Sequence, residues 1–210
     1  MKRWIIFLPV WLVSCSLNDN SIESPQLAKH ASRTIQYMHL AVGDSLGYDW
    51  SSTNAASIFT HVVATNIIGN KTYYHVVDYP LGPASPFELM IRQDEDGNVY
   101  AIFPSDSGVF SRQDEILLFK TAADTGTTWD VEDIITGTLI SRSDTVKTFY
   151  ATFPNCLRIR IDYNWYSSEE QWLAPGVGLV RREYYTAGMY PVFMPALDLK
   201  DLRLKTASRR

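Results

Sequence analysis

Leu157-Arg158-Ile159-Arg160-Ile161-Asp162-Tyr163 is the stretch whose reading decides the fold class. In an extended strand successive side chains point to opposite faces, so Leu157, Ile159, Ile161 and Tyr163 share one side and Arg158, Arg160 and Asp162 the other. One side is apolar and the other wet. That pattern fits an antiparallel sheet with one face on a core, because parallel strands are buried on both faces and read as unbroken apolar runs.

Working outward, short segments rich in Val, Ile, Thr, Tyr and Phe alternate with turn signals, and helical periodicity is nearly absent. Residues 55–68 and 71–79 flank Gly69-Asn70, a pair that tolerates positive φ and predicts a tight two-residue hairpin. Residues 87–92 and 99–103 flank Asp94-Glu95-Asp96-Gly97-Asn98, a second hairpin. Further strands are expected at 115–120, 133–142, 145–153, 157–163 and 178–185. Leu197 and Leu199 lie in one phase and Leu202 and Leu204 in the other, so a bulge or short helical turn must intervene. The expected fold is all-β: a strongly curved antiparallel sheet forming a partial or closed β-barrel, lipocalin-like in general architecture.

The first fifteen residues carry a different message. Lys2 and Arg3 precede an apolar run from Trp4 to Val13, the pattern of a secretory signal and shorter than the roughly twenty residues a spanning helix needs. The run ends in Leu12-Val13-Ser14-Cys15, which resembles the lipobox of bacterial lipoproteins. The resemblance implies cleavage between Ser14 and Cys15, a diacylglyceryl group on the Cys15 thiol, acylation of the new amine, palmitate being a typical chain, and a firm membrane anchor. Ser16 is not the aspartate that marks inner-membrane retention in enteric bacteria, which favours the outer membrane; the leaflet stays open. Residues 1–14 are then a signal peptide, the polar stretch 15–32 a flexible tether, and 33–210 a single β domain.

Loss of residues 1–14 removes two basic residues and no acid, leaving 17 Lys and Arg against 23 Asp and Glu. This acidic balance argues against a nucleic-acid partner. With Cys15 lipidated, Cys156 is the one thiol left, which forbids an intramolecular disulfide; without an activating context it reads as a small buried hydrophobe.

The sequence offers little catalytic chemistry. In a two-residue hairpin that pairs Ile68 with Lys71, His61 falls opposite Asp78 and His75 opposite Ala64, on alternate faces, which separates the two imidazoles unless a bulge intervenes. The 94–98 loop has Arg92 where a calcium loop needs an acid and lacks the Glu well downstream, so it reads as a turn with Gly97 at positive φ. No Ser-x-x-Lys or His-Glu-x-x-His string occurs. Glu169 and Glu170 are assigned to a solvated polar loop, 166–171. No catalytic residue, metal ligand or cofactor is therefore assigned. Aromatic residues Trp50, Trp165, Tyr166 and Trp172 are the candidate contacts for a ligand or partner, with cross-strand packing as the competing role.

Three strings, Gly126-Thr127-Thr128-Trp129, Phe153-Pro154-Asn155-Cys156 and Trp172-Leu173-Ala174-Pro175-Gly176-Val177-Gly178-Leu179-Val180, recur in that order in a set of bacterial lipoproteins that the chain resembles, near the TapB-like lipoproteins. Thr127 stands where those proteins usually carry an acid, and the resemblance brings no catalytic residues with it. On its own chemistry Pro175-Gly176 reads as the two corners of a type II turn.

The functional expectation is a lipid-anchored envelope protein, a non-enzymatic binding or assembly module for an apolar ligand or an envelope protein. The alternatives are a surface module for glycan or protein, and a hydrolase built around His39 or His61.

Overall fold

Every regular element among the described residues is a β-strand. The computed structural model describes residues 35–50, 57–80, 85–103, 114–163, 167–186, 192–193 and 196–205, all within the unit Thr34–Arg210. The signal, Cys15 and the 15–32 segment lie outside them.

The strands are β1 (Ser45–Trp50), β2 (Ser57–Ile68), β3 (Lys71–Pro80), β4 (Phe87–Gln93), β5 (Val99–Ile102), β6 (Ile116–Phe119), β7 (Thr128–Glu132), β8 (Ile135–Lys147), β9 (Thr152–Asp162), β10 (Ser167–Ala174), β11 (Gly178–Thr186), β12 (Val192–Phe193) and β13 (Leu197–Arg203). They form one sheet in the order β6-β5-β4-β3-β2-β1-β13-β11-β10-β9-β8-β7, with β12 attached to β11. Every strand pair in it is antiparallel. The two end strands, β6 and β7, approach each other without forming a ladder, so the sheet curls into a nearly closed barrel.

Curling brings residues from opposite ends of the strand order into one core. Val99, Ile116 and Phe119 pack in the same cluster as Trp129, Leu139, Leu157 and Ile159. The deciding stretch behaves as its alternation requires: Leu157 and Ile159 are 0% exposed and Ile161 1%, while Arg158 bonds Glu170 and Arg160 bonds Asp162. Burying each of these aliphatic side chains contributes on the order of 1.5–3 kcal/mol. A second cluster joins Leu46, Tyr48, Val146, Cys156, Trp172, Val180 and Leu199. The turn between β8 and β9 reaches this region, where Tyr150 N–H donates to the Leu199 carbonyl at 3.0 Å.

The turns follow their residue chemistry. Gly69 (φ +63°), Gly97 (φ +89°) and Gly176 (φ +69°) all take the left-handed region. Val177 N–H closes the Pro175-Gly176 turn on Ala174 O at 3.2 Å, and Gly176 N–H donates to Gln36 O at 2.8 Å. Between Leu199 and Leu202 the change of phase is a bulge: Tyr48 faces Leu199 and Gly47 faces Asp201, so Lys200 is the extra residue.

Two expectations are corrected. The 145–153 strand does not exist as such, because β8 runs on to Lys147 and β9 begins at Thr152. Thr148 makes the break: its Oγ1 accepts from the N–H groups of Tyr150 and Ala151, both at 3.2 Å, a side-chain turn with no Gly, Pro or Asn to announce it. The His61–Asp78 pairing also fails. Val63 bulges out of β2, so Ala64 faces His75 as expected but His61 faces Val77, and Thr60 faces Asp78. The His61 ring instead lies between Phe59 and Tyr79, with centroids 6.4 and 5.6 Å away.

One ion cluster ties the hairpins together. Glu115 accepts from Arg92 Nε at 2.5 Å, from Lys71 Nζ at 2.6 Å and from the Tyr73 hydroxyl. Arg92 foremost, then Lys71 and Tyr73, outweigh the cost of burial and hold the Glu115 carboxyl down at about 2 from an ordinary 4.5. A carboxyl lowered in the folded state stabilises above its unfolded pKa, and that contribution disappears as pH falls from about 4.5 through about 2. Glu115→Gln is therefore expected to cost about 1–2 kcal/mol at pH 7 after solvent screening, and to converge with the parent near pH 2, as read by urea unfolding at both pH values.

Candidate functional site

Inside the curl, at the end where β3, β10 and β11 finish or begin, lies a cavity of about 710 Å³. Its apolar wall comes from Phe87 and Leu89 of β4, Phe103 after β5, Leu118 and Phe119 of β6, and Ile134 and Ile135 at the β7–β8 turn. Asp78 of β3, Glu169 and Gln171 of β10, Arg182 and Tyr184 of β11, and Tyr163 after β9 supply the polar wall. The volume is that of a small-molecule site, and the mixed lining is the usual composition of one.

Strand pairing explains the polar wall. Gln171 faces Arg182 and Glu169 faces Tyr184 across β10 and β11, and the same two β10 residues face Ile159 and Ile161 of β9. These four polar side chains thus continue the inward face set by Leu157, Ile159 and Ile161. Arg182 Nη1 donates to the Tyr184 hydroxyl at 3.0 Å, Gln171 Nε2 donates to Glu169 Oε1, and Thr60 Oγ1 donates to Asp78 Oδ1 at 2.5 Å.

Electrostatics hold the cluster together. Burial raises the Asp78 carboxyl above its ordinary value, with the Thr60 bond and the Arg182 charge opposing. Burial also opposes the Arg182 cation, but Glu169, Tyr184 and Asp78 outweigh it and keep the guanidinium firmly protonated. The Tyr163 and Tyr184 hydroxyls are pushed up by burial first and by the Glu169 carboxylate in addition, so both remain neutral donors. Glu169 Oε2 and Arg182 Nε stand 3.9 Å apart as a buried ion pair, and the Tyr163 and Tyr184 hydroxyls hydrogen-bond the Glu169 carboxylate.

The assignment of Glu169 and Glu170 to a solvated loop is corrected here. Both belong to β10; Glu169 is 2% exposed on the cavity side, whereas Glu170 bonds Arg158 on the other. A run of Ser, Glu and Gln looks like a loop because its polar residues are paired inside the barrel and not dissolved outside it. Arg182 lies in a strand read correctly from sequence, but a bulge at Val180 breaks the alternation before it, so its inward direction comes from its pairing with Gln171 and not from phase along the strand.

Of the four aromatic candidates, Trp172 is 7% exposed; Arg158 and Arg181 lie over its ring at 5.3 and 5.7 Å, and its Nε1 donates to Asp144 at 3.0 Å. Trp50 closes β1, with its side chain outside the described residues, as are Trp165 and Tyr166 entirely. His39 Nδ1 meets Asp44 Oδ2 at 2.7 Å, but this carboxylate also accepts from the N–H groups of Ala41 at 2.8 Å and Lys205 at 2.7 Å. Asp44 is 0% exposed and fastens the two ends of the described chain. Neither His39 nor His61 lines the cavity. Among the described residues no three His, Cys, Asp or Glu side chains stand close enough to hold a metal ion. The Cys156 thiol is pushed up to about 11 by burial and then by the Asp144 charge, which leaves it unreactive as a nucleophile near neutrality.

No protein-family model matches the chain, and no curated protein matches it. Among solved structures, a lipoprotein of Parabacteroides distasonis superimposes with a TM-score of 0.48 and 11% identity over 80% of this chain and 99% of that one. What is called an exported protein of Bacteroides fragilis, with a YmcC-like fold, does so with a TM-score of 0.53 and 13% identity, again over 80% of this chain and 99% of that one. The chain is thus an all-β protein that shares the YmcC-like fold of the Bacteroides fragilis protein.

Proposed function

We propose that the chain is a lipid-anchored envelope protein, cleaved before Cys15 and held at the outer membrane through that residue, whose barrel interior binds an apolar-tailed small molecule. The observation that carries the binding reading is the cavity of about 710 Å³ with one apolar and one hydrogen-bonding wall. A barrel built only for stability fills its interior with its own side chains. The anchor rests on the lipobox string, with 15–32 as the tether and 33–210 as the binding domain; the resemblance to TapB-like lipoproteins and the word exported applied to the Bacteroides fragilis protein agree with it. No step of chemistry is needed for this task.

Binding of a glycan or protein through Trp50, Trp165, Tyr166 and Trp172 is the second reading, and the cavity is preferred because Trp172 is covered by two arginines. Native mass spectrometry of the chain after gentle detergent extraction tests the proposal. A co-purifying small molecule of lipid-like mass is expected; an empty protein that also takes up no added amphiphile removes the binding reading. Labelling with an alkyne palmitate analogue is expected to mark the parent and spare a Cys15→Ala chain, and equal labelling of both removes the anchor.

A further inference from the structure

Two carboxylates and one guanidinium line the cavity among the described residues, and we propose that the ligand supplies the missing positive charge: a protonated amine head docked on Asp78, with an apolar tail. This deepens the binding reading above and rests on it. Arg182 does not balance both acids. It forms the buried ion pair with Glu169, 3.9 Å away, and Glu169 is held further by Gln171, Tyr163 and Tyr184. Asp78 has less. Thr60 Oγ1 donates to its Oδ1, and no hydrogen-bond donor among the described residues takes Oδ2. Nor is that oxygen sealed in protein, since Asp78 is only partly buried and lines the cavity.

The strand register says how such a molecule lies. Asp78 stands in β3 between Thr60 of β2 and Phe87 of β4. Phe87 and Ile134 are 39% and 73% exposed and mark the rim of the cavity, whereas Leu89, Phe119 and Ile135 are buried. A head at Asp78 is therefore beside the rim, where an ammonium keeps part of its hydration, and the tail covers the buried hydrocarbon. Asp78 also distinguishes head groups by their chemistry. A protonated amine brings both charge and N–H donors, and a charge-assisted hydrogen bond is roughly twice as strong as a neutral one. An alcohol donates one hydrogen bond and leaves the charge in place. A fatty carboxylate adds a third anion to the lining.

Oleylamine, oleyl alcohol and oleate, competed on the full chain in one nonionic detergent at pH 7 and read by native mass spectrometry, test this. On the parent the amine is expected to exceed the alcohol by about tenfold, the scale of one hydrogen bond to a charged group, with oleate the weakest. Asp78→Asn keeps an oxygen for Thr60 and loses the charge, so the amine's lead should fall to about threefold or less. Comparing that lead between the two chains cancels the amine uptake that detergent and the acidic protein surface cause in both. A lead that persists in Asp78→Asn overturns the inference, as does an amine no better than the alcohol on the parent; both leave the binding reading standing. If none of the three binds, the inference and the binding reading fall together. Should Asp78→Asn not fold, oleyltrimethylammonium takes its place on the parent. With the same charge but no N–H it is expected to lose most of the lead, and a lead equal to that of oleylamine overturns the inference.

Discussion

Arg182→Met is expected to lower stability by about 3 kcal/mol at pH 7, the loss seen when one member of a buried ion pair is removed and its partners keep their charge. Asp78 and Glu169 both face this guanidinium, and it is the one cation lining the cavity among the described residues. The pH dependence identifies the cause. Burial already raises the Asp78 carboxyl and Arg182 opposes that rise, so its removal lifts Asp78 further. A carboxyl raised in the folded state binds more protons there than in the unfolded chain, and stability then falls as pH rises through the window above its ordinary value of 3.8. Urea titrations at pH 5 and pH 8 should therefore find the larger deficit at pH 8. An equal deficit at both would mean that Arg182 matters for its packing and not for charge balance.

Gly137→Ala should cost a comparable amount, about 2–3 kcal/mol, from the addition of a single methyl group. Gly137 faces Trp129 across β7 and β8, and the indole lies flat over the glycine, with a Cβ built there falling 2.3 Å from Trp129 Cε2. The ring cannot swing aside at little cost, since it is 7% exposed and packed into the principal core. Urea unfolding and the near-ultraviolet tryptophan spectrum check this together: a lower midpoint with a changed spectrum is expected, and a parent-like result in both would show that the ring has room to move.

The sequence carried the fold where side-chain phase and burial agree. Residues 157–163 alternate cleanly because the arginines on one side reach water and the aliphatic side chains on the other meet a core, and Gly69-Asn70 announces its turn because few other pairs adopt it. It hid the elements whose inward face is polar. Strand β10 puts Glu169 and Gln171 into the interior, a composition that hydrophobic periodicity assigns to a loop. The cavity wall is made of these same residues, so the place where the pattern fails is also the candidate site. The Val63 bulge was equally silent. No residue beside it demands a bulge, and it moved His61 by one rung while leaving His75 in place.

The seam between β6 and β7 gives the wall a direction in which to yield. Elsewhere around the barrel, parting two neighbours means breaking a row of backbone hydrogen bonds, but along this line no ladder joins the strands, and the 120–127 connection ties them at one end. Phe119 and Ile135, which line the cavity, flank the seam in sequence. A bulky hydrocarbon entering from the side would meet a slit that parts like a split tube, with β6 and β7 as its lips. Amides of these two strands are accordingly the ones expected to exchange fastest with deuterated solvent, ahead of those in β9 and β10 at the back of the wall.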